Sequence, residues 1–438
     1  MIVRGTNSIT LTNIVIGEVW LCSGQSNMAH DMTFFGSDTN LAAGMNTIRL
    51  SSGGAWAECN PTTASSFSAT AFFYGKVLYD SLKIPIGLIT EAAGGTIVER
   101  WMSTQSIIND PDLDTSTVVQ SPAKAGDLYR GSIAPLIPFA FRGVIWYQGE
   151  TNAVSAYWPD KYQARFKELI DGWRKAWGNG DFPFYYVQLP NYKLDQFLII
   201  REAQRLTLSN VQNTGMAITI DIGDSMNLHP TDKADVGHRL ALVALDKTYG
   251  HSNLVSSGPL FKEVYIKGDT AHLSFDYVGS GLVVKGGQLS GFEIASTDTH
   301  FVAATAVIMN NQVLVFKPGS KVINVRYAWA PNPKATLYNK EGLPASPFRT
   351  YSSDFVGIMN NTPIFAKNSL NAGKTINSMK VFDLAGRCVL AVTGEKTEMS
   401  AGYAKVNMFR HEKLPTGVYM VQMWSNNGVI GTEKIVRK

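Results

Sequence analysis

One serine lies in a sequence suited to nucleophilic chemistry. Residues 17–28 read Gly-Glu-Val-Trp-Leu-Cys-Ser-Gly-Gln-Ser-Asn-Met, an apolar strand pattern that ends in small and polar residues. Ser26 falls where the next helix should begin, so the N–H groups of that helix could stabilise an anion formed beside its hydroxyl. Serine is also a common helix cap. The motif alone leaves both interpretations open, a nucleophile or a cap.

A serine hydroxyl is protonated at neutral pH and needs a base before it can attack a carbonyl carbon. Among the seven histidines, His229 is the strongest candidate, because it follows a predicted strand in the loop of residues 221–230. Loops after parallel strands gather at the edge of an α/β sheet where ligands bind. A solvated loop histidine is the alternative. His30 is a weaker candidate, because we expect it inside the helix that follows Ser26.

Two further strand ends carry groups that could bind an oxyanion. Residues 91–96 contain Gly94 and Gly95, whose backbone amides are unshielded, and residues 146–152 supply an amide side chain and a carboxylate. Such turns are common in isolation. Four polar clusters after four predicted strands are harder to explain by chance, and together they predict one site at one sheet edge.

The elements that position these residues alternate between buried strands and amphipathic helices. Nearly continuous apolar runs predict parallel strands covered on both faces at residues 14–22, 84–91, 143–148, 184–189 and 216–221. Helical spacing of apolar residues predicts helices at 67–82, 161–177, 198–208 and 234–249. The alternation predicts a three-layer αβα sandwich over residues 1–250.

Beyond this domain the apolar period changes to that of strands. Residues 251–350 indicate a β-rich segment that docks on the α/β domain, with Asn310 and Asn311 in a hairpin turn. Residues 362–438 consist of short strand patterns separated by turns, which predicts a small C-terminal all-β sandwich.

Composition excludes several classes of protein. The length of 438 residues suggests two or three folding units. The composition, 45% apolar and 17% charged, is typical of a folded protein and not of a disordered chain. The excess of 39 basic over 35 acidic residues is scattered without a basic stripe, so we expect no nucleic-acid partner. Three cysteines without metal-ligand spacing offer no metal site. We also expect no cofactor. No apolar run approaches the roughly 18 residues of a membrane span.

The motifs around Ser26, Gln148 and His229, in order along the chain, resemble the sialate O-acetylesterase type of SGNH hydrolase. Residues 129–138 and 339–349 extend the resemblance, which runs from about residue 9 to residue 349. It implies that Ser26 attacks an acetyl ester and that His229 activates the Ser26 hydroxyl. It also implies oxyanion donors at the Ser26 amide, the Gly94 amide in preference to Gly95, and the Gln148 side chain.

One position departs from the family pattern. Many SGNH enzymes have an aspartate three residues before the histidine, where this chain has Met226. We expect Asp224 to replace it as the third catalytic residue, with Asp221 or Glu150 as further candidates. A backbone carbonyl could instead orient His229, which would leave a dyad. We expect supporting roles for Glu150, Gly95 and Asn152.

The C-terminal residues 379–438 resemble the sorting domain of type IX secretion in Bacteroidetes. The resemblance rests on Val-Phe-Asp-Leu-Ala-Gly-Arg at 381–387 and Leu-Pro-Thr-Gly-Val-Tyr-Met at 414–420. It implies export to the cell surface or the medium, with the secretion machinery as a partner.

The sequence therefore predicts a secreted serine esterase that removes O-acetyl groups from carbohydrate through an acetyl-serine intermediate. Sialic acid and acetylated plant polysaccharide such as xylan are equally weighted carriers. The alternative is a catalytically inactive cell-surface carbohydrate-binding protein on the same fold, motivated by Met226 and by the short segment before Gly17. An esterase for long acyl chains is less favoured, because no motif suggests an apolar lid.

Overall fold

A computed structural model describes residues 1–110, 125–154, 158–296 and 300–351, and five strands farther along the chain. The chain divides into two compact units. The first comprises Met1–Val264 and Gly268–Thr350, and the second comprises Tyr265–Lys267 and Tyr351–Lys438. The domain boundaries expected at residues 250, 350 and 362 stay predictions.

The strands up to residue 350 vary in length from two to eight residues. In chain order they are β1 (Ile2–Arg4), β2 (Ser8–Thr10), β3 (Glu18–Gly24), β4 (Ile48–Ser52), β5 (Ala55–Glu58), β6 (Ile86–Ala92), β7 (Gly143–Tyr147), β8 (Phe184–Val187), β9 (Thr214–Ala217), β10 (Leu260–Lys267), β11 (Thr270–Asp276), β12 (Leu282–Val284), β13 (Phe292–Ala295), β14 (Phe301–Ala303), β15 (Thr305–Met309), β16 (Gln312–Phe316), β17 (Asn324–Tyr327), β18 (Leu337–Asn339) and β19 (Phe348–Arg349).

The described helices lie within the first 250 residues. The α-helices are α1 (Ser26–Ala29), α2 (Pro61–Ser65), α3 (Ala69–Leu82), α4 (Thr104–Asn109), α5 (Tyr162–Trp177), α6 (Phe197–Asn210) and α7 (Lys233–Lys247). Short 3₁₀ turns span Thr39–Ala42, Val98–Trp101, Ala134–Leu136 and Pro159–Lys161, and a π-helical turn spans Tyr129–Ile133.

A seven-stranded sheet forms the centre of the α/β region, with strand order β5-β4-β6-β3-β7-β8-β9. All neighbouring strands are parallel except β5, which runs antiparallel to β4. Every residue of β7 and β8 is buried, as their continuous apolar sequences predict for strands covered on both faces. The parallel sheet expected from the sequence is therefore confirmed.

Helices cover the sheet in two pairs, α3 with α7 and α5 with α6. Helix α5 buries Phe166, Leu169 and Trp173 at helical spacing while its charged residues stay mostly on the other face. It ends at Gly178, whose φ of 68° is the left-handed cap that glycine adopts readily. These layers give the three-layer αβα sandwich that the sequence predicts.

The region after residue 250 is β-rich, as expected. Strands β15 and β16 form a hairpin in which Met309 pairs with Gln312, and its two turn residues Asn310 and Asn311 have φ of 50° and 59°. The loop after β17 lies against α6, because Arg201 donates hydrogen bonds to the carbonyl oxygens of Ala330 and Pro331.

The second unit contains an antiparallel sheet. The strands of this unit are β20 (Phe355–Ile358), β21 (Ser378–Asp383), β22 (Cys388–Thr393), β23 (Gly417–Ser425) and β24 (Gly428–Arg437). The last four form the sheet, in the order β22-β21-β23-β24. Residues 384–387 and 414–416 of the sorting-domain motifs lie outside the described residues. None of the helices in the described part of the chain has the length and apolar character needed to cross a membrane.

Candidate active site

The turn between β3 and α1 presents Ser26 at the carboxyl edge of the sheet. Gly24 has a φ of 137°, and a Cβ there would lie 2.1 Å from the carbonyl oxygen of Tyr147, so only glycine fits. The next residue, Gln25, is the N-cap of α1 and makes no side-chain cap bond. Ser26 is therefore the first helical residue, and its hydroxyl does not cap the helix.

The Ser26 hydroxyl is paired with His229. Ser26 Oγ and His229 Nε2 lie 2.8 Å apart although 203 residues separate them in the chain. His229 belongs to the loop between β9 and α7, where its backbone N–H donates to Asn227 Oδ1 at 2.9 Å. A serine hydroxyl within hydrogen-bond reach of an imidazole is the arrangement that allows a proton to leave the hydroxyl as it attacks.

Two buried side chains fix the loop on either side of His229. Asn27 Nδ2 donates to the carbonyl oxygen of Leu228 at 3.0 Å, and Lys233 Nζ donates to that of Pro230 at 2.6 Å. Lys233 Nζ also donates to Asn27 Oδ1 at 2.8 Å, which joins the two supports. Since Asn27 directly follows Ser26, the same network positions both members of the Ser26–His229 pair.

A carboxylate lies under this network. Glu150 is buried, and its Oε1 accepts a hydrogen bond from Asn27 Nδ2 at 2.6 Å. Burial raises the pKa of Glu150, although the bond from Asn27 and the charge of Lys233 oppose the rise. Burial lowers the pKa of Lys233 to about 7, against the attraction of Glu150 and Asp232. The low-dielectric interior thus favours the neutral forms of both groups.

The same surroundings favour a neutral imidazole at His229. Its pKa is lowered first by burial and then by the charges of His30 and Lys233. Because only the neutral ring can accept a proton from Ser26, these effects keep His229 in the form of a base at lower pH.

None of the three candidate carboxylates is hydrogen-bonded or ion-paired to His229 among the described residues. Asp224 is exposed, and its Oδ1 accepts the backbone N–H of Met226 at 2.8 Å. Asp221 is paired with Arg239, with Oδ2 and Nη2 3.0 Å apart, and Glu150 bonds to Asn27. The structure therefore brings Ser26 and His229 together and bonds Asp224 to the backbone of Met226.

The two candidate glycines differ in their relation to Ser26. A Cβ built on Gly94 would lie 3.5 Å from Ser26 Cβ, whereas one on Gly95 would have nothing within 4 Å. Gly94 therefore packs directly against the serine. The N–H of Ser26, in the first turn of α1, lies where helices have no internal acceptor.

Gln148 and Asn152 bond to each other in the interior. Gln148 Nε2 donates to the carbonyl oxygen of Thr96 at 3.0 Å and to Asn152 Oδ1 at 2.8 Å, so both amide hydrogens have acceptors. Asn152 Oδ1 also accepts the N–H of Val98 at 2.8 Å, and its Nδ2 donates to Glu99 at 3.1 Å. This network ties the segment after β6 to the segment after β7.

Sequence reasoning placed His30 wrongly, inside the helix after Ser26, and missed other residues at this edge. Helix α1 ends at Ala29, so His30 lies outside it, and its ring is 4.9 Å from that of His229. Phe34 stacks on His30 with ring centroids 3.7 Å apart. Lys233 gives no sequence signal, because a lysine in a first helical turn is usually solvated. Asn27 belongs to the Gly-Gln-Ser-Asn motif, which is the available signal for it.

Within the described residues, no three or more His, Cys, Asp or Glu side chains are grouped so that they could hold a metal ion. The described geometry supports acyl transfer to a serine hydroxyl, with the imidazole taking the proton of that hydroxyl.

Comparison with known proteins agrees with this chemistry. Residues 16–246 match the family model described as carbohydrate esterase, sialic acid-specific acetylesterase. The sialate O-acetylesterase of Mus musculus is 30% identical over 434 residues, with 78% of this chain and 79% of the mouse protein covered. The human sialate O-acetylesterase is 30% identical over 407 residues, with 79% and 77% covered.

A solved structure matches as well. The crystal structure of a novel carbohydrate acetylesterase from Xanthomonas citri has a TM-score of 0.71 and 37% sequence identity, and the match covers 79% of this chain and 83% of that one. The αβα sandwich is thus that of the SGNH-type carbohydrate esterases, and this protein is an esterase. The chain belongs to the sialic acid-specific acetylesterase family of carbohydrate esterases.

Proposed function

We propose that this esterase removes O-acetyl groups from carbohydrate through an acetyl-serine intermediate, with Ser26 as nucleophile and His229 as general base. The observation that carries the proposal is the 2.8 Å contact between Ser26 Oγ and His229 Nε2. The match to a carbohydrate acetylesterase structure supports the substrate class.

The reaction has two halves. Ser26 Oγ attacks the acetyl carbonyl carbon while His229 Nε2 takes the hydroxyl proton, and the tetrahedral intermediate carries a negative oxygen. When that intermediate collapses, the bond to the sugar oxygen breaks and His229 returns the proton to the departing alkoxide. Water then attacks the acetyl-serine with His229 again as base, which releases acetate and restores Ser26.

The oxyanion in this scheme is held by the backbone amides of Ser26 and Gly94. The packing of Gly94 on Ser26 supports this assignment over Gly95. Gln148 would have to release Thr96 or Asn152 to serve as a third donor, so we assign it to positioning of the strand ends. The interior contacts of Asn152 and Glu150 support the same kind of role for them.

His229 works in this proposal without a third catalytic residue. The Asn27 and Lys233 bonds to its neighbours' carbonyl oxygens take over the positioning that a triad aspartate provides. Asp224 lies outside the reaction, in keeping with its bond to Met226.

The test is acetate release from acetylated mono- and oligosaccharides by the wild type and Ser26→Ala. Loss of the nucleophile should reduce kcat by several orders of magnitude, and the wild type quenched during turnover should carry one acetyl group on Ser26. Ser23→Ala is the matched control, because the buried Ser23 hydroxyl has no hydrogen-bond partner among the described residues. A wild type no faster than Ser26→Ala would refute the mechanism.

The same acetate-release assay identifies which acetylated sugar is the preferred substrate. Acetylated sialic acid and acetylated xylan are equally weighted substrates, and the ratio of their kcat/KM values decides between them.

We further propose export to the medium or the cell surface through residues 379–438, by type IX secretion. A reporter fused to these residues in a host with that system should appear outside the cell, and retention of the reporter would oppose the proposal.

A further inference from the structure

Phe34 lies beside the Ser26–His229 pair with much of its ring in solvent. The side chain is 54% exposed. One face of the ring is covered by His30, since the two rings are parallel within 3° at a centroid distance of 3.7 Å. The His229 ring lies 5.9 Å away and is nearly perpendicular to the Phe34 ring, at 85°. These contacts leave the face opposite His30 available to a ligand.

This ring is held in place by several contacts. The Phe34 N–H donates to Asp31 Oδ1 at 2.8 Å, and the buried Phe35 packs edge-on at 5.0 Å. His30, which supports the covered face, donates its own N–H to the carbonyl oxygen of Ser26 at 2.9 Å. The ring is thus fixed relative to the serine, so a ligand that stacks on it loses little binding energy to ordering of the protein.

The reaction decides which part of an ester meets this ring. His229 has to return a proton to the departing alkoxide, so the alcohol part of the ester lies on the His229 side of Ser26. Phe34 is on that side. In a carbohydrate ester the alcohol part is the sugar, and the acetyl group lies away from it.

We propose that the exposed face of Phe34 is the floor of a subsite for the sugar ring that bears the acetyl group. The subsite takes a pyranose through the flat C–H face of the ring, while its hydroxyl groups stay in solvent. This inference rests on the proposed function and adds a specificity-determining residue to it.

The test compares two acetyl esters that differ in the alcohol. An O-acetylated pyranose presents a ring to Phe34, whereas ethyl acetate does not. Phe34→Ala should lower the ratio of kcat/KM for the acetylated pyranose over that for ethyl acetate by about tenfold, mostly through KM. Phe34→Trp, which keeps an aromatic face, should keep the ratio within about threefold of the wild type.

Two results would overturn the inference. An equal fall in kcat/KM on both esters would mean that Phe34 only supports His30 and His229. A fall on ethyl butyrate larger than on the acetylated pyranose would place the acyl chain, instead of the sugar, against the ring. Thermal melting of each variant checks folding, and the half-exposed side chain makes unfolding by truncation unexpected.

Failure of this inference is distinguishable from failure of the proposed function. If the wild type and Ser26→Ala hydrolyse neither ester, the acyl-transfer mechanism fails. If the wild type hydrolyses both and Phe34→Ala leaves the ratio unaltered, the mechanism stands and the Phe34 subsite is refuted.

Discussion

Lys233 Nζ lies 2.6 Å from the carbonyl oxygen of Pro230, the residue directly after His229. The lysine is fully buried and has Asn27 Oδ1 as its second acceptor. A buried amine in this position links the first turn of α7 to both halves of the candidate site.

Replacement of Lys233 by methionine should weaken that link while keeping the length of the side chain. We expect kcat to fall by about 10-fold to 100-fold with a smaller change in KM, because His229 loses one of its two flanking supports. Steady-state kinetics on an acetylated sugar measure the effect. Lys247→Met, at the far end of the same helix, is the control, and wild-type kcat in Lys233→Met would contradict the positioning role.

The pH dependence of catalysis should reflect the environment of His229. Burial and the charges of His30 and Lys233 lower its pKa below the ordinary 6.5, so kcat/KM should reach half of its plateau below pH 6.5 on the acid side. Lys233→Met removes one positive charge, which should move this midpoint to higher pH. A wild-type midpoint above 6.5 in the pH profile would contradict the lowered pKa of His229.

Stability should also depend on pH through Lys233. Its pKa is about 7 in the folded protein, against 10.5 for a lysine in water, so the unfolded chain binds the extra proton between these values. The free energy of unfolding contributed by this group is therefore lowest below pH 7 and rises as the pH increases toward 10. The free energy of unfolding of the wild type minus that of Lys233→Met, measured with urea, should become more positive from pH 7 to pH 10. A constant difference would exclude the shifted pKa.

Asp224 should be dispensable for catalysis. Since its carboxylate bonds to the Met226 backbone and not to His229, we expect Asp224→Asn to keep kcat/KM within about threefold of the wild type, where loss of a triad aspartate costs ~10⁴-fold. His229→Asn serves as the reference for loss of the base. A loss of several orders of magnitude in Asp224→Asn would restore the triad interpretation.

Gly94 and Gly95 should respond differently to alanine. A methyl group on Gly94 would lie 3.5 Å from Ser26 Cβ, so Gly94→Ala should lower kcat/KM by about tenfold or more, because it narrows the space for the acyl group. Gly95 has a φ of 69° and open space around it, so Gly95→Ala should cost about 1 kcal/mol of stability from backbone strain. Kinetics and thermal melting separate the two effects, and equal kinetic losses would argue against the assignment of Gly94.

The fold can be predicted from the sequence where burial leaves a strong pattern. The apolar run at 143–148 and the helical spacing of α5 identify their elements within about one residue. The apolar run at 14–22 makes the predicted strand begin too early, because β3 begins at Glu18 and Ile16 before it is 91% exposed. The β4–β5 pair escapes prediction, because an edge hairpin with serines and exposed residues lacks the continuous apolar pattern.

The site can be predicted only as far as strand ends determine it. Ser26 and His229 each follow a strand, and parallel topology brings such positions to one edge. The partners of Asp224 and Gln148 depend on side-chain directions set by packing, which spacing does not encode. Lys233 escapes prediction for the same reason, since its acceptors come from α1 and from the loop before α7.

The position of β9 at the end of the sheet order has a consequence for biosynthesis. The serine emerges early and follows a central strand, but its imidazole partner is delivered by the outermost parallel strand and secured by α7. In the proposed mechanism, a ribosome-bound chain therefore has no base for Ser26 until the chain up to Lys247 has been made and folded. The return of ester hydrolysis during refolding would therefore report when β9 has joined the sheet.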